Sequence, residues 1–262
     1  MNHAGAFKNK RVIVTGAAGI YGGWIASAFA AEGAHLCLTD MRADKLEAVA
    51  ANLKLDPATT LLMGCDLTDA AAIAGFASAI AAKWHSPDIL INNAGVYPRT
   101  GILINLEDAE FDRIMSVNVR APFILTKHIS RLMVANDIPG AIVNIGSGAA
   151  RQMPTGSVTY CMSKTALERL SKGQALELAP HKIRVNVVEP GFAPGSDFSY
   201  LPPDYVERMT ARIPLGRNSE PGDCAGMVLY LCSPAASYIT GATVSVDGGN
   251  SIGTFQPTPT NT

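Results

Sequence analysis

Short, uninterrupted apolar runs recur along this chain, each followed by a helix-length segment rich in Ala, Leu and Glu. That alternation limits the possible folds more than any other feature. The runs are RVIVTG (11–16), AHLCLTD (34–40), TLLMGCD (60–66), DILINNAG (88–95), AIVNIGS (141–147), IRVNVVEP (183–190) and ATVSVDGG (242–249). A strand with one wet face alternates apolar and polar residues, whereas a continuous run predicts burial on both faces. Segments 21–32, 43–54, 69–84, 107–135, 157–179 and 221–232 supply the covering helices. The pattern predicts an α/β fold, a doubly wound parallel sheet of about seven strands in a single domain over 1–250. Right-handed crossovers then place ligand sites at the carboxyl ends of the strands. Two stretches break the rhythm: 191–215, rich in Pro and Gly and expected to be an irregular lid over a substrate, and the Pro/Thr-rich tail 251–262, expected to fray.

With 262 residues, 48% hydrophobic and 16% charged, the chain can bury one large core. A net charge of −1 gives no basic field for nucleic acid or an anionic membrane. The 5 cysteines, Cys37, Cys65, Cys161, Cys224 and Cys232, are scattered, with no Cys-x-x-Cys and no His at ligand spacing. No metal site is expected, and a reducing compartment is. The start, MNHAGAFKNKR, lacks the apolar core of a signal peptide, and no apolar run approaches ~18 residues. These features predict a soluble, cytoplasmic protein.

Thr15-Gly16-Ala17-Ala18-Gly19-Ile20-Tyr21-Gly22 joins the first run to the first helix. Glycines suit a sharp turn whose backbone approaches a pyrophosphate, the charge resting at a helix N-terminus. Gly16, Gly19, Ile20 and Tyr21 are therefore candidate cofactor contacts, although an ordinary Gly-rich turn would look the same. Asp40 adds weight to the first reading. It ends the second run, where a carboxylate can accept both ribose hydroxyls of an adenosine and repel a 2′-phosphate. A close charge pair is worth a few kcal/mol at an effective dielectric of about 20, enough to favour NAD(H) over NADP(H). Arg42 partly offsets that field, and a helix cap is the other reading of Asp40. Asp66 closes the third run and is a candidate partner for the adenine amine, by its carboxylate or by the backbone of its neighbour Leu67. The expected sheet is thus the dinucleotide-binding, Rossmann-like kind.

Tyr160 and Lys164, in YCMSK, fall one turn apart on one helical face. Ser147 ends the fifth run, and Asn118 lies within the long helical segment before it. Hydride transfer between a nicotinamide and a carbonyl needs a proton donor to the developing alkoxide, or a base in the reverse direction. A free tyrosine, pKa ~10, is a weak base at neutral pH. A neighbouring ammonium and an oxidised nicotinamide favour phenolate; bringing the pKa to ~7 would represent about 4 kcal/mol. On this reading Tyr160 is the acid–base group, Lys164 lowers its pKa and holds the nicotinamide ribose, and Ser147 hydrogen-bonds the substrate oxygen. Tyr-x-x-x-Lys alone carries little weight, because chance pairs are frequent.

Other motifs surround this set: Asn92-Asn93-Ala94-Gly95, Asn118 in SVNV, Pro190-Gly191, and Thr240-Gly241 with Val246-Asp247-Gly248-Gly249. With Ser147, Tyr160 and Lys164 they make the chain, from Lys10 to about Gly249, resemble the short, single-domain branch of the short-chain dehydrogenase/reductase family. The resemblance implies a Ser–Tyr–Lys site in which Asn118 holds a proton-relay water near Lys164. It implies that Asn92, Ala94 and Gly95 line the adenosine side, and that backbone from Pro190 and Gly191 to Ala193 meets the nicotinamide amide. It also implies a homotetramer joined through the helices around 107–135 and 157–179. Two departures stand out. Ile20 occupies a position where that branch usually has glycine, and the Gly16, Gly19, Gly22 spacing resembles the loop of a longer, epimerase-like branch. After Pro190-Gly191 the usual threonine is missing, and Ser196 is the candidate substitute.

The substrate pocket is expected from Val96–Ile102, Gly148–Thr155 and 192–215. There Arg99 and Arg151 could meet a carboxylate or phosphate or be solvated, and Tyr97, Phe192, Phe198 and Tyr200 could form a wall or pack the lid. Cys161 and the five histidines receive no role. Three functions remain: an NAD(H)-dependent dehydrogenase of a secondary alcohol or polyol, or the matching ketone reductase; a 3-oxoacyl-thioester reductase acting on an acyl-carrier protein; and a non-catalytic NAD-binding regulator.

Overall fold

The computed structural model describes residues 5–97, 101–195 and 201–255. Seven strands, β1 Arg11–Thr15, β2 His35–Asp40, β3 Thr60–Gly64, β4 Ile89–Asn92, β5 Ala141–Ile145, β6 Arg184–Pro190 and β7 Thr243–Val246, form one sheet. Its order is β3-β2-β1-β4-β5-β6-β7, and every neighbouring pair is parallel. The helices are α1 Ile20–Ala31, α2 Ala43–Asn52, α3 Ala70–Trp84, α4 Asp108–Met115, α5 Ala121–Ala135, α6 Val158–Leu178, α7 Pro203–Thr210 and α8 Pro221–Cys232. The chain winds outward from β1 to β3, returns to β4 beside β1, then winds the other way. The carboxyl ends of β1 and β4 therefore diverge into a crevice, the place where doubly wound sheets bind ligands.

Both faces of the sheet are covered, which is why the runs are continuous. Along β1, Val12 and Val14 enter one core with Ile25, Phe29 and Val228, while Ile13 enters the other with Ile80, Leu125 and Ile129. Each fully buried side chain of this size contributes roughly 1.5–3 kcal/mol. At the amino end of the sheet, Asp88 accepts from the Arg11 backbone at 2.9 Å and side chain at 2.8 Å, and from Lys10 at 3.2 Å. Burial alone would raise its pKa, but these cations and hydrogen bonds hold it below the usual carboxylate value.

The structure departs from the sequence expectations in three places. The segment 107–135 is two helices joined by a π-helical turn, Ser116–Arg120. Pro122 follows it, and with no N–H it cannot close an α-helical bond onto the Asn118 carbonyl. The segment 191–215 contains α7, started by Pro203 in its first turn. Ser251, assigned to a frayed tail, is buried and donates its backbone N–H to Asp247 at 2.9 Å. Among the described residues no helix is long and apolar enough to cross a membrane, and no three His, Cys, Asp or Glu side chains cluster to hold a metal ion.

Candidate active site

The loop between β1 and α1 is fixed by close approach. Gly16 has φ +62°, and a β-carbon there would stand 2.8 Å from the Ala94 Cα. At Gly22 it would collide with the Gly16 carbonyl. Asn93, inside the segment expected to line the adenosine side, instead donates its side-chain amide to the Thr15 and Gly16 carbonyls at 2.8 and 3.0 Å. The backbone N–H groups of Asn93 and Ala94 both donate to the Thr15 hydroxyl, at 3.0 and 2.9 Å. The first and fourth strand ends are thus joined. Gly19 caps α1 without a side-chain hydrogen bond, leaving first-turn amides facing the crevice from Ile20 onward. Tyr21 sends its hydroxyl elsewhere, donating to the Gly191 carbonyl at 2.9 Å, and burial raises its pKa.

Asp40, nearly buried, accepts from the Ala18 N–H at 3.2 Å and from Arg42 at 3.1 Å (backbone) and 3.2 Å (Nε). It braces the glycine loop and draws Arg42 back onto itself. It does not cap α2, whose N-terminus carries no side-chain cap. Asp66 is exposed and accepts from Thr68 at 2.8 and 2.7 Å, forming a turn, while Leu67 packs against the core. The Asn92 side chain points to the opposite face of the sheet, where it donates to Asn144 at 2.7 Å and Thr126 at 3.1 Å. The donor set suits a dinucleotide: open helix amides for the phosphates and a carboxylate at the end of β2 for hydroxyls.

On the other side of the crevice four assigned side chains converge. Ser147 follows β5; its hydroxyl accepts from the Ala149 N–H at 3.2 Å and is close enough to Tyr160 to favour its phenolate. The Tyr160 ring meets Tyr97 edge-on, centroids 4.6 Å apart. Lys164 is buried, donates to the Ile145 carbonyl at 2.9 Å, and lies 5.8 Å from the Tyr160 ring centre. Asn118 accepts from Val96 N–H at 2.8 Å and donates to Val96 O and Ser163 Oγ, each at 3.0 Å. Ser163 in turn donates to the Tyr160 carbonyl at 2.7 Å. Gly95 leaves the space between Asn118 and Lys164 open, where a methyl would stand 3.4 and 3.6 Å from their polar atoms.

In the chain without cofactor the Tyr160 pKa is pushed up to about 12, because burial outweighs the pull of the Ser147 hydroxyl. Burial likewise lowers Lys164 to about 8. The ammonium is turned toward the Ile145 carbonyl and itself poorly solvated, so it does not by itself offset the desolvation of a phenolate.

Other assigned residues have different partners. Arg151, a candidate anion clamp, is engaged by Glu189 at 2.6 Å and by Ser245 and Ser251 at 2.7 Å. Gly191 packs against Asp247, Phe192 accepts from the Ser219 N–H at 2.8 Å, and Ala193 is half-buried beside them. Phe192 meets Tyr205 edge-on at 6.3 Å. Cys161 is buried, in keeping with no role for it. Arg99, Ser196, Phe198 and Tyr200 lie outside the described residues. Asn144 and Glu189 were missed, yet a polar residue inside a continuous apolar run was a usable signal for both.

Residues 16–251 match the family described as Enoyl-(Acyl carrier protein) reductase. The chain belongs to the short-chain dehydrogenase/reductase family. Sorbitol dehydrogenase of Cereibacter sphaeroides is 31% identical over 252 residues, covering 92% of this chain and 97% of that one. The 3-oxoacyl-(acyl-carrier-protein) reductase of Rickettsia bellii is 35% identical over 237 residues, covering 90% and 95%. A crystal structure of NAD+-bound xylitol dehydrogenase superposes with TM-score 0.86 at 29% identity, over 93% of this chain and 99% of that one. The short-chain dehydrogenase/reductase family is one of oxidoreductases acting on CH–OH groups and their carbonyls, and uses nicotinamide cofactors. Ile20, the departure expected in the glycine loop, is half-buried at the start of α1.

Proposed function

We propose that this chain transfers a hydride between NAD(H) and a secondary alcohol or polyol, or the matching ketone. The observation that carries the reading is Tyr160 one helical turn before the buried Lys164, whose ammonium lies 5.8 Å from the tyrosine ring centre, with Ser147 acting on the same phenol. When bound, a nicotinamide supplies or accepts the hydride. Ser147 holds the substrate oxygen, and Tyr160 gives it a proton in reduction or removes one in oxidation. Lys164 holds the ribose and adds positive charge near Tyr160. Asn118 has both ends of its side-chain amide engaged, so its main-chain carbonyl, which Pro122 cannot bond, is the group assigned to a relay water. Gly16, Gly19, Ile20, the Tyr21 backbone and Ala94 bind the pyrophosphate and adenosine side. Asp40 holds the ribose, Asp66 and Leu67 the adenine, and Gly191 to Ala193 the carboxamide. Residues 191–195 and 201–215 bound the substrate side. The preference for NAD(H) rests on Asp40, whose charge Arg42 tempers without removing.

Exposed apolar residues on α4, α5 and α6, including Phe111 and Phe123, support a homotetramer. The buried free cysteines support a reducing, cytoplasmic setting.

NADH and NADPH binding to the purified protein, followed by turnover of alcohols, polyols and ketones, tests this. Tighter NADH binding with polyol oxidation is the expected result. Preference for NADPH with reduction of 3-oxoacyl thioesters would put the thioester reductase first, a reading favoured by the similarity to the Rickettsia enzyme. Binding without any turnover would leave the regulator. Tyr160→Phe should lower kcat by roughly 10² or more; retained activity would remove Tyr160 from the chemistry.

A further inference from the structure

A second polar cluster lies beside the catalytic one. Glu189, fully buried near the end of β6, holds the Arg151 guanidinium at 2.6 Å and the Ser245 hydroxyl at 2.7 Å through one carboxylate oxygen. Its other oxygen, Oε1, and Oε1 of Glu168 on α6 are both buried without a hydrogen-bond partner, and the two carboxyls act on each other. Two neighbouring buried carboxyls favour a proton staying on one of them. Glu168 is one helical turn beyond Lys164, itself one turn beyond Tyr160, so all three lie along one side of α6.

The cluster reaches the catalytic turn by direct contact. A β-carbon at Gly146 would stand 2.7 Å from Val187 Cγ1 and 3.1 Å from Glu189 Cγ, so the residue before Ser147 lies close over both side chains. From the far end of the same turn, Arg151 bonds Ser245 and Ser251, each at 2.7 Å. Gln152 donates to the Asn250 carbonyl at 2.9 Å, and Thr165 on α6 donates to the Ala150 carbonyl at 2.9 Å. The turn carrying Ser147 is therefore fastened at both ends, and Arg151 with Glu189 is the charged part of the fastening.

We propose that Arg151 is a positioning residue, acting through Glu189 to hold in place the turn that carries Ser147. The buried Glu189 carboxylate, not a substrate, accounts for the arginine. The groups facing Glu168 are Glu189 on β6, Arg151 on the turn and Lys172 on its own helix. Burial and Glu189 raise the Glu168 pKa to about 7, against the pull of Arg151 and Lys172. Above that pH two carboxylates compete for one guanidinium, and the fastening loosens.

The kinetic arm rests on the hydride-transfer reading; an exchange arm does not. Arg151→Met should lower kcat roughly 10- to 100-fold while the cofactor KM stays within about 2-fold. Arg151→Lys should recover part of the loss, as should added guanidinium with Arg151→Met. Glu168→Gln, which keeps a donor but cannot titrate, should hold kcat near wild type and abolish the rate change near pH 7. In cofactor-free protein, hydrogen exchange in 146–152 should quicken in Arg151→Met, and in wild type as pH rises past about 7 after correction for intrinsic rates. If wild type turns over nothing, the hydride reading fails and exchange alone decides. Unchanged exchange in a folded Arg151→Met protein overturns the proposal. So does an unchanged kcat, or a pH dependence near 7 that persists in Glu168→Gln.

Discussion

Lys164 keeps an ammonium where almost no water reaches, with the Ile145 carbonyl as its hydrogen-bond acceptor. Its pKa of about 8 lies below the ordinary 10.5, so the unfolded chain holds that proton more tightly than the folded one. The penalty is fully present below about pH 8 and is relieved as pH rises toward 10.5. Lys164→Met should therefore make the cofactor-free protein more stable at neutral pH, by about 1–2 kcal/mol once the lost hydrogen bond is counted, while turnover collapses. Denaturant midpoints of both proteins across this range would test it; an equal or lower midpoint for the variant at neutral pH would show that burial is not the controlling cost. Tyr160 gives a matching spectroscopic expectation. With its pKa near 12 it should contribute no tyrosinate absorbance at pH 9 to the difference spectrum between wild type and Tyr160→Phe, and NAD+ should bring that contribution down the pH scale. A tyrosinate difference at pH 9 without cofactor would contradict the burial argument.

At the scale of elements, the strand ends are joined by polar side chains more than by the sheet alone. Asn92 on β4 bonds Asn144 on β5, which donates to Ser171 at 2.7 Å and Gln174 at 3.3 Å on α6. Asn144→Ala should cost about 2–3 kcal/mol, because Asn92 and Ser171 lose buried partners; a loss under about 0.5 kcal/mol would mean water replaces the amide. Gly22→Ala should weaken cofactor binding at least several-fold and destabilise by about 1–3 kcal/mol, since the methyl meets the Gly16 carbonyl that Asn93 also holds. Calorimetric titration with NADH and a thermal melt would report both. Every strand could be read from its apolar run, and most helices from the segments between. The five inner strands are buried along nearly their whole length, whereas the edge strands β3 and β7 carry the run while only partly buried. The face a polar residue takes could not. Asn92 was assigned to the cofactor side because the motif gave its position and not the pleat. The π turn escaped for a similar reason: only Pro122 hinted at it, and helical periodicity barely changes across one extra residue. Arg151 escaped because Glu168 and Glu189 are far from it in sequence.

For the whole molecule, the seven-stranded order and the residues gathered at the β1–β4 crevice follow from topology, and these were legible early. Surface association was not. The helices α4, α5 and α6 expose Phe111, Phe123, Val134, Val158, Met162 and Leu176. If they meet in a tetramer, Phe123→Glu should give smaller species in sedimentation velocity with an unchanged circular dichroism spectrum. A single species at the monomer mass for wild type would end the tetramer reading. The hydroxyl of Tyr21 has a wider consequence. It spans the crevice from the start of the first helix to the carbonyl of Gly191, where the last crossover leaves the sheet. One proton thus ties the glycine loop to the residue that follows β6, and two places far apart in sequence are buttoned together. A shift in the first turn of α1 is passed on to Gly191, and Tyr21→Phe would undo the button while leaving Ser147, Tyr160 and Lys164 in place.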